Sequence, residues 1–181
     1  VIARVHASPA RKGIRIDARP LHIGREGHVV TALVRRFIKT GIGFLVAGLL
    51  LGLYMLVRRE LYGSWPGAYF ISAHTHAVFV GFVMFMILGV ALWLFPKPLV
   101  HDSRYRTSSI EAVYWLLLCG TLLRVSAELA RAWSDLTLLA WPVLLGGAAQ
   151  VAGLLLYVWT MWYRIRPSAR QLREGREGDL D

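Results

Sequence analysis

The stretch Ala73-His74-Thr75-His76-Ala77-Val78-Phe79-Val80-Gly81-Phe82 opens an apolar run that continues to Phe95. Two histidines, two residues apart, therefore lie in a segment long enough to cross a bilayer as a helix, for which about 20 apolar residues suffice. A titratable or metal-liganding side chain is costly in hydrocarbon, so its presence there points to a functional site. Three further apolar runs, at 37–57, 110–129 and 137–163, accompany this one at 68–95. A soluble core does not account for four such runs in 181 residues, 56% of them hydrophobic. The expected fold is an all-α integral membrane protein with four transmembrane helices in one bundle.

Charge supplies the topology. The net charge of +10 invites nucleic acid as a partner, but its distribution argues for a membrane instead. The segment before the first span carries Arg4, Arg11, Lys12, Arg15, Arg19, Arg25, Arg35, Arg36 and Lys39 against only Asp17 and Glu26. The connection after the second span holds Lys97, Arg104 and Arg106, and the segment after the fourth holds Arg164, Arg166, Arg170 and Arg173. By the positive-inside rule both termini and the 96–109 connection are cytoplasmic. The expected organisation is a basic arm at 1–36, a membrane domain at 37–163 and a charged tail at 164–181. The first 30 residues lack the apolar core of a secretory signal peptide and are Arg-rich and acid-poor. The expected location is the bacterial inner (cytoplasmic) membrane, with an organellar inner membrane as the lesser alternative. His6, His22 and His28 are too widely spaced for a local metal motif, so the arm reads as a segment that docks on the membrane surface or on a partner.

Within the spans, Gly48 and Gly52 have the small-xxx-small spacing that lets helices approach closely in lipid. Ala73, Ala77 and Gly81 recur every four residues beside His74, a stripe that could seat another helix or the flat face of a macrocycle, helix packing being the commoner use. Phe95-Pro96 ends the second span, since proline cannot continue a helix. Ser108-Ser109-Ile110-Glu111 has the form of a capping box ahead of the third span. That span carries Arg124 and Glu128, an i,i+4 pair that reads first as an ion pair and second as a cation, Arg124, free to meet an anion such as a haem propionate. Pro142 is placed to kink the fourth span, and Tyr157, Trp159, Trp162 and Tyr163 read as its aromatic anchor. The single cysteine, Cys119, excludes a disulfide framework and a CxxC motif.

His74 and His76 point about 200° apart on a helix, so they cannot share one ion. One can face a cofactor or the bundle while the other reaches a carbonyl or a polar side chain. The plain reading is two polar residues tolerated near the interface. The ligand reading favours haem over zinc or copper, because no cysteine, carboxylate or third histidine stands near enough in sequence to complete an ion's shell, whereas haem iron needs only one or two axial imidazoles.

The block His74-Thr75-His76-Ala77-Val78-Phe79-Val80-Gly81-Phe82 resembles the second helix of the catalytic subunit of cbb-type haem-copper oxidases. It also resembles short four-span proteins of the oxidase subunit I-like type, which share the His-x-His core, the Gly-aromatic pair matched by Gly81-Phe82, and a Leu-Phe-Pro ending matched by Leu94-Phe95-Pro96. Gly48-Leu49-Leu50-Leu51-Gly52-Leu53-Tyr54-Met55 is similar to their first helix. The resemblance covers residues 37–100 well and the last two spans only by length and hydropathy. It implies His74 as an axial ligand to haem b, with His76 matching a second histidine of unassigned role. Arg124 could then pair a propionate while Phe79, Phe82 and Gly81 line the ring. The further helices that carry the other ligands of a full-length oxidase have no counterpart in these four spans, so the expectation is an electron-transfer subunit without an oxygen-reducing centre, not an oxidase by itself. The sixth ligand would come from a second copy or from another membrane subunit. Two other classes stay open: a cofactor-free accessory subunit of a membrane complex, and a haem or gas sensor or haem carrier.

Overall fold

The computed structural model describes residues 25–95, 107–134 and 136–162, with side chains described from Ala32 onward. The arm before Arg25, the 96–106 connection with its basic residues and the tail after Trp162 lie outside the described residues. Every described element is helical: α1 Arg25–Tyr62, α2 Ala68–His76, a π-helical segment Ala77–Met84, α3 Phe85–Leu94, α4 Thr107–Arg131, a 3-10 turn Thr137–Leu139 and α5 Ala140–Met161. Four stretches are long and apolar enough to cross a membrane, namely Ala32–Tyr62, Ala68–Leu94, Thr107–Arg131 and Thr137–Met161.

The first helix is longer than its apolar run. Residues 25–36, expected to belong to the arm, continue into the span as one 38-residue helix, about 57 Å at 1.5 Å per residue. It ends at Gly63, whose φ of +58° is the left-handed turn that glycine tolerates. The Ser64 amide then donates to the Arg58 carbonyl at 3.2 Å. This turn reverses the chain into the second span, which comprises α2, the π segment and α3.

The second span packs along α1 through residues four apart. Ala73, Ala77, Gly81, Phe85 and Gly89 are all buried. On a regular α-helix a four-residue spacing drifts steadily around the axis, because the true period is 3.6. The i→i+5 bonds of the π segment turn the chain through less per residue and offset that drift. The stripe thus stays on one face across its length. Its occupants are side chains of α1: a Cβ on Gly81 would stand 2.4 Å from Phe44 Cγ, and one on Gly89 would stand 2.9 Å from Phe37 Cβ. Helix packing is therefore what this stripe does.

α4 and α5 cross closely on a heptad-like seam. Gly146, Gln150, Gly153 and Tyr157 are buried on α5, against Leu117, Gly120 and Thr121 buried on α4. A Cβ on Gly146 would come within 2.7 Å of the Gly120 carbonyl oxygen, so the backbones touch there. α5 packs chiefly on α4, while α1, the second span and α4 contact one another. The Tyr157 hydroxyl also ties α5 to α3 by donating to the Leu88 carbonyl at 3.1 Å. Tyr157 is thus a core residue, unlike the exposed Trp159 and Trp162 that complete the expected aromatic anchor. Pro142 sits in the first turn of α5, which starts at Ala140, where no intrahelical N–H is needed and a helix accommodates proline. Likewise α4 already begins at Thr107, and Glu111 pairs with Arg36 at 3.5 Å instead of closing a capping box.

The two ends of the molecule differ in character. Towards the 96–106 connection lies an apolar core of Phe37, Phe85, Leu88, Ile110, Val113 and Leu117, with Tyr114 edge-on to Phe37 at a centroid distance of 5.3 Å. Towards the 63–67 turn, the same helices bury polar groups.

Candidate functional site

His74 and His76 leave α2 in opposite directions, as their spacing requires. His74 faces α1, with its Nδ1 2.9 Å from the Gly48 carbonyl oxygen. A carbonyl only accepts, so Nδ1 carries the proton and donates it. The imidazole fits because Gly52 lacks a side chain: a Cβ there would meet His74 Cε1 at 3.0 Å. Gly48 is a packing glycine as read in sequence, since a Cβ there would meet Val78 Cγ2 at 2.6 Å, while Gly52 shapes the seat of the histidine. The lone pair at Nε2 is left over, since the described residues offer it no hydrogen bond.

His76 turns towards α4. Its Nδ1 donates to the Ser72 carbonyl at 2.8 Å and stands 3.5 Å from Glu128 Oε2. Ser72 completes the link by donating its hydroxyl to Glu128 Oε1 at 2.8 Å. Arg124 Nε donates to the same oxygen at 3.1 Å. From α5, Gln150 Oε1 accepts from Arg124 at 3.4 Å while its amide donates to Thr121 at 3.1 Å. Six polar side chains from three helices thus form one chain of contacts. Glu128, 2% exposed, lies at its centre. One carboxylate oxygen is held twice, and the other, Oε2, is buried without a hydrogen bond.

This geometry sorts the residues singled out in the sequence. Arg124 is taken up by Glu128 and Gln150, the ion-pair reading, and its guanidinium also covers Gly147. Gly81 seats the Phe44 ring. Phe82 packs at the edge of the apolar core, and Phe79 is 61% exposed on the outer surface. The sequence reading missed Ser72, and it missed that His76, Glu128 and Gln150 belong together. The available signal was polar residues on the buried stripes of α4 and α5, which in lipid must find each other.

At the same end a cavity of about 180 Å³ is lined by Tyr54, Arg58, Trp65, Phe70, Ala132 and Trp133 among others. Phe70 meets Trp133 edge-on at 4.8 Å. The chain matches no protein-family model, no curated protein and no solved structure.

Proposed function

We propose that this chain is a haem b-binding subunit of a redox complex in the bacterial cytoplasmic membrane, with His74 supplying an axial imidazole. The observation that supports this reading is the fixed tautomer of His74. With Nδ1–H held by the Gly48 carbonyl, Nε2 presents its lone pair, which is the orientation that metal-bound histidines take when their second nitrogen is anchored. The donor therefore fits haem iron. A haem bound there supplies a one-electron centre. His74 would orient it, the Gly48 carbonyl would hold the imidazole at Nδ1, and Gly52 leaves room for the ring. The Arg124–Glu128 pair neutralises the buried charge near the same depth. With Arg124 committed to Glu128, the propionate role falls away from this reading.

A second reading has its own observation. The glycine clefts that a macrocycle could fill inside the bundle are filled by Phe44 and by His74 itself, which suits an accessory subunit that packs on a partner and carries no cofactor. The spectrum of the purified protein separates the two. A b-type reduced-minus-oxidised band that disappears in His74→Ala supports the haem reading. Colourless protein from haem-replete cells, purified together with other membrane subunits in fixed ratio, supports the accessory reading.

A further inference from the structure

The cavity of about 180 Å³ beside the 63–67 turn has walls that are held in place by one another. Phe70 is buried and meets Tyr54 at 5.3 Å and Trp133 at 4.8 Å between ring centroids. Trp65 lies under the Arg59 guanidinium, 4.9 Å from the ring centroid. The Arg58 carbonyl accepts from the Ser64 amide at 3.2 Å and from its hydroxyl at 3.4 Å, which fixes the backbone from which the Arg58 side chain leaves. A space of this size exceeds the roughly 30 Å³ share of one water and matches cavities that take a benzene-sized group. Three arginines stand at this end, and two of them are engaged. Arg59 pairs with Glu60 at 3.0 Å, and Arg131 lies over the Tyr69 ring at 4.5 Å. Arg58 lines the cavity, and among the described residues its guanidinium has no ion pair or hydrogen bond.

We propose that this cavity binds the phosphodiester of a membrane phospholipid, with Arg58 as its cation. A guanidinium offers a planar fork of donors that matches phosphate oxygens, and one free arginine balances the single charge of a phosphodiester. The depth agrees. The first span ends at Tyr62 and the second begins at Ala68, so the cavity stands where both helices leave the apolar layer. Headgroups lie at that level in a bilayer, as do tryptophan and tyrosine side chains. The surface below suits the rest of a lipid: Leu50, one turn beneath Tyr54 on α1, is 63% exposed and gives an acyl chain apolar contact. A free phosphate ion would use Arg58 alike but gain nothing from that surface. The assignment depends on the four spans lying in a bilayer and is independent of haem at His74.

The test titrates the full chain, delipidated in detergent, with phosphatidylglycerol and counts bound lipid by native mass spectrometry. Diacylglycerol with the same acyl chains and inorganic phosphate are the competing probes. Arg58 is exposed, so Arg58→Gln leaves the packing intact, and helical circular dichroism checks that it does. Arg36→Gln, at the opposite end where Arg36 pairs with Glu111 at 3.5 Å, is the control for unspecific attraction of anionic lipid. The expected result is tight binding of phosphatidylglycerol that Arg58→Gln weakens at least about tenfold, the loss of a charge-assisted hydrogen bond. Arg58→Lys should restore part of it, Arg36→Gln should change nothing, and neither competitor should displace the lipid. Equal binding by wild type and Arg58→Gln overturns the site. Equal weakening in Arg36→Gln overturns it as well. Displacement by diacylglycerol overturns the phosphate recognition, and displacement by inorganic phosphate at similar concentration overturns the lipid as its source.

Discussion

Gly52 does for His74 what a side chain could not, and this makes it a sensitive position. Its α-hydrogen faces the imidazole, and a methyl group there would press on Cε1 from 3.0 Å. Gly52→Ala is expected to tilt the ring and weaken the Gly48 bond, which would shift or broaden any haem band while leaving the helical circular dichroism unchanged. Gly43→Ala, where a Cβ meets nothing within 4 Å, is the matched control and should be silent. Glu128 carries a different kind of weight. It is buried with Arg124 against it, and truncating one member of a buried pair leaves the other charge uncompensated, typically at about 3–5 kcal/mol. Glu128→Ala should therefore lower the unfolding midpoint in detergent sharply. Glu128→Ala with Arg124→Ala should cost clearly less than the sum of the single changes, and additivity of the two would contradict the contact. Much of this was readable from spacing: two residues apart sends the histidines to opposite sides, and four apart puts Arg124 and Glu128 on one face. Which neighbour each histidine finds was not readable, because a carbonyl on α1 and a carboxylate on α4 meet α2 only after the helices have packed.

Helix pairing rests on where small residues stand. At the α4–α5 crossing a Cβ on Gly146 would meet the Gly120 carbonyl oxygen at 2.7 Å and the Arg124 amide nitrogen at 2.9 Å, both backbone atoms that cannot yield. A Cβ on Gly147 would meet only the end of the Arg124 side chain, at 3.0 Å. Overpacking of this kind costs about 1–3 kcal/mol. Gly146→Ala is thus expected to destabilise the protein by that order, measured by thermal or denaturant unfolding in detergent, and Gly147→Ala by much less. Equal effects would show that the crossing is looser than described. The existence of each helix was legible from its apolar run, as was the packing role of Ala73, Ala77 and Gly81. The π segment at Ala77–Met84 was not, since no proline or turn residue marks it and its effect is to keep a four-residue stripe in line over a longer stretch than an α-helix could. Tyr157 was misjudged for a related reason. It lies near the end of an apolar run, and the register of the α5 seam was set by contacts with α4 and α3.

The whole molecule divides into an aromatic and aliphatic core at the end of the 96–106 connection and a polar cluster at the end of the 63–67 turn. The basic residues flanking the spans lie mostly in the arm, the 96–106 connection and the tail, so the proposed insertion places the apolar end towards the cytoplasm and the histidines towards the outside. Reporter fusions test this: a fusion after the fourth span should show cytoplasmic activity, and one in the 63–67 turn should show external activity. The reverse pattern would place the histidine end on the cytoplasmic side. The number of spans and the charge bias follow from composition alone, whereas the presence of a cofactor depends on one side chain and what meets it outside the chain. The most direct measurement is the dithionite-reduced minus oxidised spectrum of the purified wild-type protein beside His74→Ala and His76→Ala. The expected result is a b-type band in wild type that persists in His76→Ala, whose nitrogen serves Ser72 and Glu128, and is lost in His74→Ala. A band unchanged in His74→Ala, or no band in a wild-type preparation from haem-replete cells, would contradict ligation by His74.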